Sequence, residues 1–288
     1  MTILDGKKLK NEILEKVKQE VATLSFVPIF CDVLVGDDSA SKQYVQMKAR
    51  NAESVGIKFH NANFPASITT EELIKEIQIL NKIPNMCGII VQLPLPEHLD
   101  KQKILDSIDP ELDVDCLGKI RSEKFYSSYG GENDLGFPTA VSCMALLDSI
   151  GLDNNLSTAF RTRKVAVLGY GNLVGKPVEA LLKFRGISPE VIRSKTENKE
   201  ELIKEADIII SGMGKGKYIT GDMIKEGAVV VDAGTSEDGG AIVGDVDLES
   251  VKNVASYVSP VPGGVGPVTV AMLLKNVLIV AKNFKKIV

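Results

Sequence analysis

The chain has 288 residues, 44% of them hydrophobic, 25% charged and 5% aromatic, with a formal net charge of −4. That length and composition exclude intrinsic disorder and suit one large or two medium domains. An acidic pI near 5.5 argues against a general nucleic-acid binder, and two histidines with four scattered cysteines argue against a zinc site, so proton chemistry is not expected to rest on histidine.

The opening MTILDGKKLK lacks an apolar core of signal-peptide length, and a cytoplasmic protein with reduced cysteines is expected. Leu9, Ile13, Val17, Val21 and Leu24 recur at helical spacing and predict an amphipathic helix over 7–24. Pro28 breaks that pattern, and 29–35 reads as a buried strand ending at Gly36. A helix follows over 39–55 with Gly56 in the C′ position, then a strand over 56–64. Thr69 and Glu72 form a capping box before a helix over 73–80, and 88–93 is a third strand. The polar segment 119–134 has no periodicity and predicts a linker or active-site loop. A helix over 139–150 precedes a second alternation. Its strands are 164–168, 191–193, 206–211 and 227–232, and its helices 173–184 and 199–205. That is a doubly wound nucleotide-binding pattern, so two α/β domains are expected. The apolar stretch 265–281 carries Lys275 and Asn276 near its middle, costly in a bilayer, and reads as a buried soluble helix rather than a membrane span.

Val165 to Gly175 is a β-branched strand running into a glycine turn and then a helix. Gly169 and Gly171 allow a tight turn and close approach of a pyrophosphate to the helix N-terminus, although the G-x-G-x-x-x-G spacing is one residue longer than the usual fingerprint. About 20 residues beyond the turn, where NAD binders place an acidic group, stand Arg193, Ser194 and Lys195. They favour NADP over NAD; the alternative is that they are solvated loop charges. Tyr44 and Lys48 lie four apart on one helix and share a face, where partial loss of hydration would suit the lysine to acid–base work; a solvated lysine and a packing tyrosine are the plain alternative. Gln92 follows an apolar strand at the carboxyl edge of the sheet, placed to meet a ligand or to satisfy local backbone. Three glycines and three prolines within 260–267 specify an unusual, stiff backbone before a helix. Asp113 and Asp115 bracket Val114, and spacing alone does not choose between them.

These residues resemble the bifunctional methylenetetrahydrofolate dehydrogenase/methenyltetrahydrofolate cyclohydrolase family over nearly the whole chain. The likeness is carried by Ile3-Leu4-Asp5-Gly6, by Val35-Gly-Asp-Asp-Ser-Ala-Ser41 with Tyr44, Val45 and Lys48, by 88–96, and by 262–270. It implies a catalytic folate-binding domain over 1–136, completed by a C-terminal helix over 267–288, and a Rossmann-type NAD(P)-binding domain over 137–266. It also implies a homodimer acting on tetrahydrofolate derivatives, without a metal. Lys48 would be the catalytic lysine of the hydrolytic step and Gln92 would tune its basicity. Tyr44 would stack on the folate, Asp115 would bond the pterin, and Val91, Leu93, Pro262, Gly263 and Gly264 would complete the substrate contacts. Thr139, Gly169, Tyr170, Gly171, Asn172, Arg193, Ser194, Gly234 and Thr269 would meet the dinucleotide. Departures cluster on the cofactor side: Tyr170 where Arg or Ser is usual, Phe137-Pro-Thr-Ala140, and Asp232-Ala-Gly-Thr-Ser236, with Cys116 in place of a glycine and Val268 in place of a bulkier residue. Other readings are a dehydrogenase without cyclohydrolase activity, a non-catalytic dinucleotide sensor, and a dehydrogenase of another small metabolite. The first conflicts with Tyr44, Lys48 and Gln92; the other two leave the folate-side motifs unexplained.

Overall fold

The structure is a computed structural model that describes residues 1–151 and 163–284. The chain forms two compact units, Asn11–Pro138 with Val270–Val288, and Met1–Lys10 with Thr139–Thr269.

In the first of these, a parallel three-stranded sheet has the order Lys58–Phe64, Ile29–Val35, Met86–Val91. The central strand is paired on both sides and buried from Phe30 onward, which is why its sequence IFCDVLV is nearly all apolar. Helix Ser39–Ser54 follows it, opened by Asp38, whose carboxylate accepts from Ser41 N at 2.7 Å. Gly56 closes the same helix at φ +83°, a left-handed position that disfavours any side chain. The Thr69–Glu72 capping box forms as expected, at the start of helix Thr70–Leu80.

The expected loop over 119–134 is corrected. Lys119–Ser128 is a helix, with Arg121 and Phe125 buried. Its order comes from tertiary contact rather than periodicity: Phe125 packs against Tyr129 and Phe137 with ring centroids 5.0 and 4.9 Å away. The Arg121 guanidinium donates to Asp134 Oδ1 at 2.9 Å and to Leu135 O at 3.2 Å. Helix Val265–Phe284 is long and apolar enough to cross a membrane, yet most of its apolar stretch is buried inside the protein. The last four positions of the expected C-terminal helix, 285–288, lie outside the described residues. Buried Asn276 explains the polar residue in the middle of that helix. Its amide donates to Val114 O and Gly136 O, both at 2.8 Å, and so ties down the loop that carries Asp113 and Asp115.

The other unit holds a six-stranded, all-parallel sheet in the order Thr2–Ile3, Tyr257–Val258, Val229–Asp232, Ile208–Ser211, Val165–Leu168, Glu190–Ile192. Its core includes Leu168, Ile203, Ile209, Val230 and Val258, all buried. Val165–Leu168 has Glu190–Ile192 on one side and Ile208–Ser211 on the other, so its carboxyl end is the point where strand order reverses and ligands bind in such sheets. The division of the chain differs from the expected one at its start. Met1–Lys10 groups with Thr139–Thr269 because Thr2–Ile3 adds to the edge of this sheet beside Tyr257–Val258. The hairpin Ser236–Asp238 with Ala241–Val243 was not legible in the sequence pattern.

Removing the Asn276 amide would strand two buried carbonyls. Asn276→Leu is expected to cost about 2–3 kcal/mol in urea denaturation followed by far-UV circular dichroism, and an unchanged midpoint would contradict that role.

Candidate active site

Helix Ser39–Ser54 buries Ser41, Val45, Lys48 and Ala52, a stripe at helical spacing. A lysine therefore occupies a core position. Only 7% of Lys48 is exposed, whereas Tyr44, one turn back, is 42% exposed and stands at the rim. The two residues lie on neighbouring parts of one face but in different surroundings.

The Lys48 ammonium is held between two groups from the sheet. It donates to Gln92 Oε1 at 2.7 Å and lies 2.6 Å from Asp32 Oδ2. Gln92 follows Met86–Val91, its backbone N–H pairs with Val33 O at 2.9 Å, and its side-chain amide donates to Leu93 O at 2.6 Å. Of the two readings of Gln92, the structure shows the one in which its amide serves local backbone, while its oxygen serves the lysine. Val91 is the last residue of the strand, and Leu93 leads into the cis peptide before Pro94.

Sequence reasoning passes over Asp32. It is fully buried, 0% exposed, in the middle of the central strand, and neither oxygen accepts a hydrogen bond of good geometry although Oδ2 meets the ammonium. The available signal was a lone acidic residue inside a seven-residue apolar strand. Burial pushes its carboxyl above the usual range, against the lowering effect of Lys48.

Asp113 and Asp115 separate in role. Asp113 is buried and accepts from Gly118 N at 2.7 Å, which shapes the turn into helix Lys119–Ser128. Asp115 interacts electrostatically with Lys48. Burial, opposed by Lys48 and assisted by Asp113 and Asp32, pushes its carboxyl up to about 7. Cys116 adopts φ +61°, the left-handed conformation that suits the glycine usual at this position.

In the other unit the glycine turn forms at the carboxyl end of Val165–Leu168. Gly169 has φ +89°, and a Cβ there would lie 2.6 Å from Gly212 O. A Cβ on Gly175 would run into the Gly169 carbonyl oxygen, so the helix Gly175–Phe184 can sit close only because this residue is glycine. Gly171 differs, since a Cβ would meet nothing within 4 Å. Bare backbone facing open space at a helix N-terminus is the feature a pyrophosphate needs, so these residues fit a dinucleotide.

Tyr170 donates its hydroxyl to Glu179 at 2.6 Å, and its ring lies 3.7 Å beneath the Arg193 guanidinium. The turn and the next strand thus bring Tyr170 and Arg193 together, with exposed Ser194 adjacent. Asn172 accepts from Lys176 Nζ at 2.8 Å. Gly234 donates to Asp232 Oδ1 at 2.9 Å and packs against the Asp245 carboxylate. Thr139 is half-buried in helix Pro138–Asp148, and Thr269 bonds back to Val265 O at 3.1 Å. The Pro262–Gly264 loop has Gly263 at φ +114° and accepts from Gly6 N at 3.0 Å through the Gly263 carbonyl. A Cβ on Gly6 would run into the Gly264 carbonyl oxygen, so two separate glycine motifs of the sequence serve one close approach.

Comparison with known proteins agrees with both halves. Residues 138–285 match the tetrahydrofolate dehydrogenase/cyclohydrolase NAD(P)-binding domain, and residues 4–115 match the catalytic domain of the same family. A bifunctional FolD protein from Nitratiruptor sp. is 44% identical over 99% of this chain and 100% of its own length. The crystal structure of the bifunctional FolD enzyme from Campylobacter jejuni has a TM-score of 0.91 at 37% identity, covering 99% of each chain. The Trypanosoma brucei enzyme, solved with NADP cofactor and inhibitor, has a TM-score of 0.91 at 33% identity, also covering 99% of each chain.

Asp115 has a testable consequence. With its folded carboxyl raised to about 7, the native state holds a proton that the unfolded chain releases near pH 4, so stability from this group falls as pH rises from about 4 to about 7. Asp115→Asn is expected to gain stability over the parent at pH 8, on the order of 1–2 kcal/mol, with no gain at pH 4. Urea midpoints at the two pH values measure it, and a difference independent of pH would contradict it.

Proposed function

We propose a mechanism from the premise that the chain belongs to the tetrahydrofolate dehydrogenase/cyclohydrolase family. It is a bifunctional NAD(P)-dependent methylenetetrahydrofolate dehydrogenase and cyclohydrolase. It oxidises 5,10-methylenetetrahydrofolate to the methenyl form and hydrolyses that to 10-formyltetrahydrofolate. The observation that carries the mechanism is the buried Lys48 ammonium, gripped by Gln92 and Asp32.

When bound, the nicotinamide supplies the acceptor for a hydride from the one-carbon bridge. The chain's part in that step is positioning, with the open backbone at Gly171 and the N-terminus of helix Gly175–Phe184 receiving the pyrophosphate. Hydrolysis needs a proton carrier. Water adds to the methenyl carbon, and Lys48 in its amine form takes one of the water's protons. The lysine returns that proton to the ring nitrogen as the carbon–nitrogen bond breaks. The remaining hydroxyl proton leaves to solvent as the formyl carbonyl forms. Gln92 orients Nζ, the exposed Tyr44 ring offers a stacking face, and Asp115 offers the pterin a carboxyl that is partly protonated near neutrality.

NADP is the cofactor of our reading. Arg193, its guanidinium over the Tyr170 ring with Ser194 beside it, supports recognition of a 2′-phosphate, and the Trypanosoma brucei relative carries NADP. The resemblance also supports a homodimer, and four buried free cysteines support a cytoplasmic setting.

Two measurements test this reading. Lys48→Met is expected to stay folded and to lose methenyl hydrolysis by about 100-fold or more, followed as decay of methenyltetrahydrofolate absorbance; parental rates would remove the lysine from the mechanism. Arg193→Ala is expected to raise the KM for NADP about tenfold or more while leaving that for NAD within about twofold, in parallel dehydrogenase assays. Equal effects on the two cofactors would overturn the NADP assignment.

A further inference from the structure

The cyclohydrolase mechanism above uses Lys48 and Gln92 and leaves Asp32 without a part. Yet Asp32 is the group the fold takes most trouble to accommodate. A carboxylate with no exposed surface sits in the middle strand of a three-stranded sheet, among Phe30, Cys31 and Val33, all at 0% exposure. Leaving a charge there without a cation would be strongly unfavourable, and its one cationic partner among the described residues is Lys48. Lys48, in turn, is held by Asp32 on one side and Gln92 on the other, at 2.6 and 2.7 Å. Removing either partner would leave Nζ free to swing.

We propose that Asp32 is a positioning residue for Lys48, which fixes Nζ opposite Gln92 and accepts the lysine's proton so that a free amine meets the attacking water. This rests on the reading of Lys48 as the proton carrier of hydrolysis. The pair shares one proton. On nitrogen it makes an ion pair; on Oδ2 it makes a neutral acid beside a free amine. A buried site narrows the gap between those two forms, because both ions lose hydration there. The cycle balances. Asp32 takes the Nζ proton, the amine takes one from water and delivers it to the ring nitrogen, and the Asp32 proton then returns to Nζ.

Other charged groups around the pair are few. Asp115 acts on both Lys48 and Asp32, Asp113 acts through Asp115, and the Cys31 thiol, next to Asp32, is pushed up by burial and by that carboxylate. The neighbouring strand Lys58–Phe64 brings His60 opposite Cys31 and uncharged Asn61 opposite Asp32. Tyr44 is the titratable residue one turn back on the lysine's own helix.

The test is the pH dependence of methenyl hydrolysis in Asp32→Asn and Asp32→Val, with Lys48→Met as reference and circular dichroism to establish folding. In the parent the reactive form, a neutral acid beside a free amine, carries as many protons as the ion pair, so hydrolysis does not wait for the ammonium to lose its proton to solvent. Without Asp32 it must, so the limb on which the rate rises with pH is expected to move at least one unit higher in both folded variants. A merely structural aspartate would change the melting temperature and leave that limb in place or move it lower. A parental or lowered limb in a folded Asp32 variant, with Lys48→Met inactive, overturns the proposal alone. Parental hydrolysis by Lys48→Met overturns the underlying reading instead. If only one Asp32 variant folds, its profile decides. If neither folds, the carboxylate serves the fold and the proposal fails.

Discussion

A charged lysine in a core stripe has to be neutralised where it sits, and that requirement organises the unit around it. The ionic partner is Asp32, in the middle strand, and the ammonium donates its hydrogen bond to Gln92 at the end of the adjacent strand. Because the sheet is parallel and the helix carrying Lys48 directly follows the middle strand, both partners reach the lysine from rigid backbone. The loop with Asp115 is fixed in its turn by Asn276, whose two hydrogen bonds bring the last helix into the same arrangement. The charge sum is uneven: Asp32, Asp113 and Asp115 share a neighbourhood with a single lysine. Burial therefore raises Asp113 to about 6 and Asp115 to about 7, and a carboxyl able to donate a hydrogen bond is present at neutral pH.

The dinucleotide half answers a different constraint, namely close approach. Gly169 and Gly175 let strand, turn and helix touch, while Gly171 leaves backbone bare toward open space. Buried carboxylates recur here as scaffold rather than as acid–base groups. Asp245 accepts from Ser211, Met213 N and Lys215 N, and Asp232 accepts from Gly234, Asp245 and Val246 backbone N–H groups, so loops after adjacent strands are held together. The departure at Tyr170 is not an empty substitution: the ring gives Arg193 a platform and its hydroxyl is anchored on Glu179.

Much of this was legible in the sequence because local signals dominate. Hydrophobic runs bounded by glycine and proline marked the strands, Thr69 with Glu72 marked a helix start, and the spacing of Gly169, Gly171 and Gly175 marked the turn. Helix Lys119–Ser128 was not legible, since Arg121 and Phe125 are buried by partners that come later in the chain rather than by a periodic pattern. The first strand was missed for a similar reason, being two residues long and ordered only by Tyr257–Val258. Asp32 was visible as a letter in an apolar run, but its meaning depends on Lys48 lying above it, a contact across 16 positions of sequence and two elements.

The central claim is that Lys48 and Asp32 are a mutually dependent buried pair, and a double-mutant cycle on stability tests it most directly. Lys48→Met and Asp32→Val are each expected to destabilise the protein, by about 3 kcal/mol for the variant that leaves the ammonium alone. The double variant, with an apolar pair in an apolar setting, is expected to recover most of that loss. Strictly additive losses would contradict the account, because two independent residues have nothing to restore to one another.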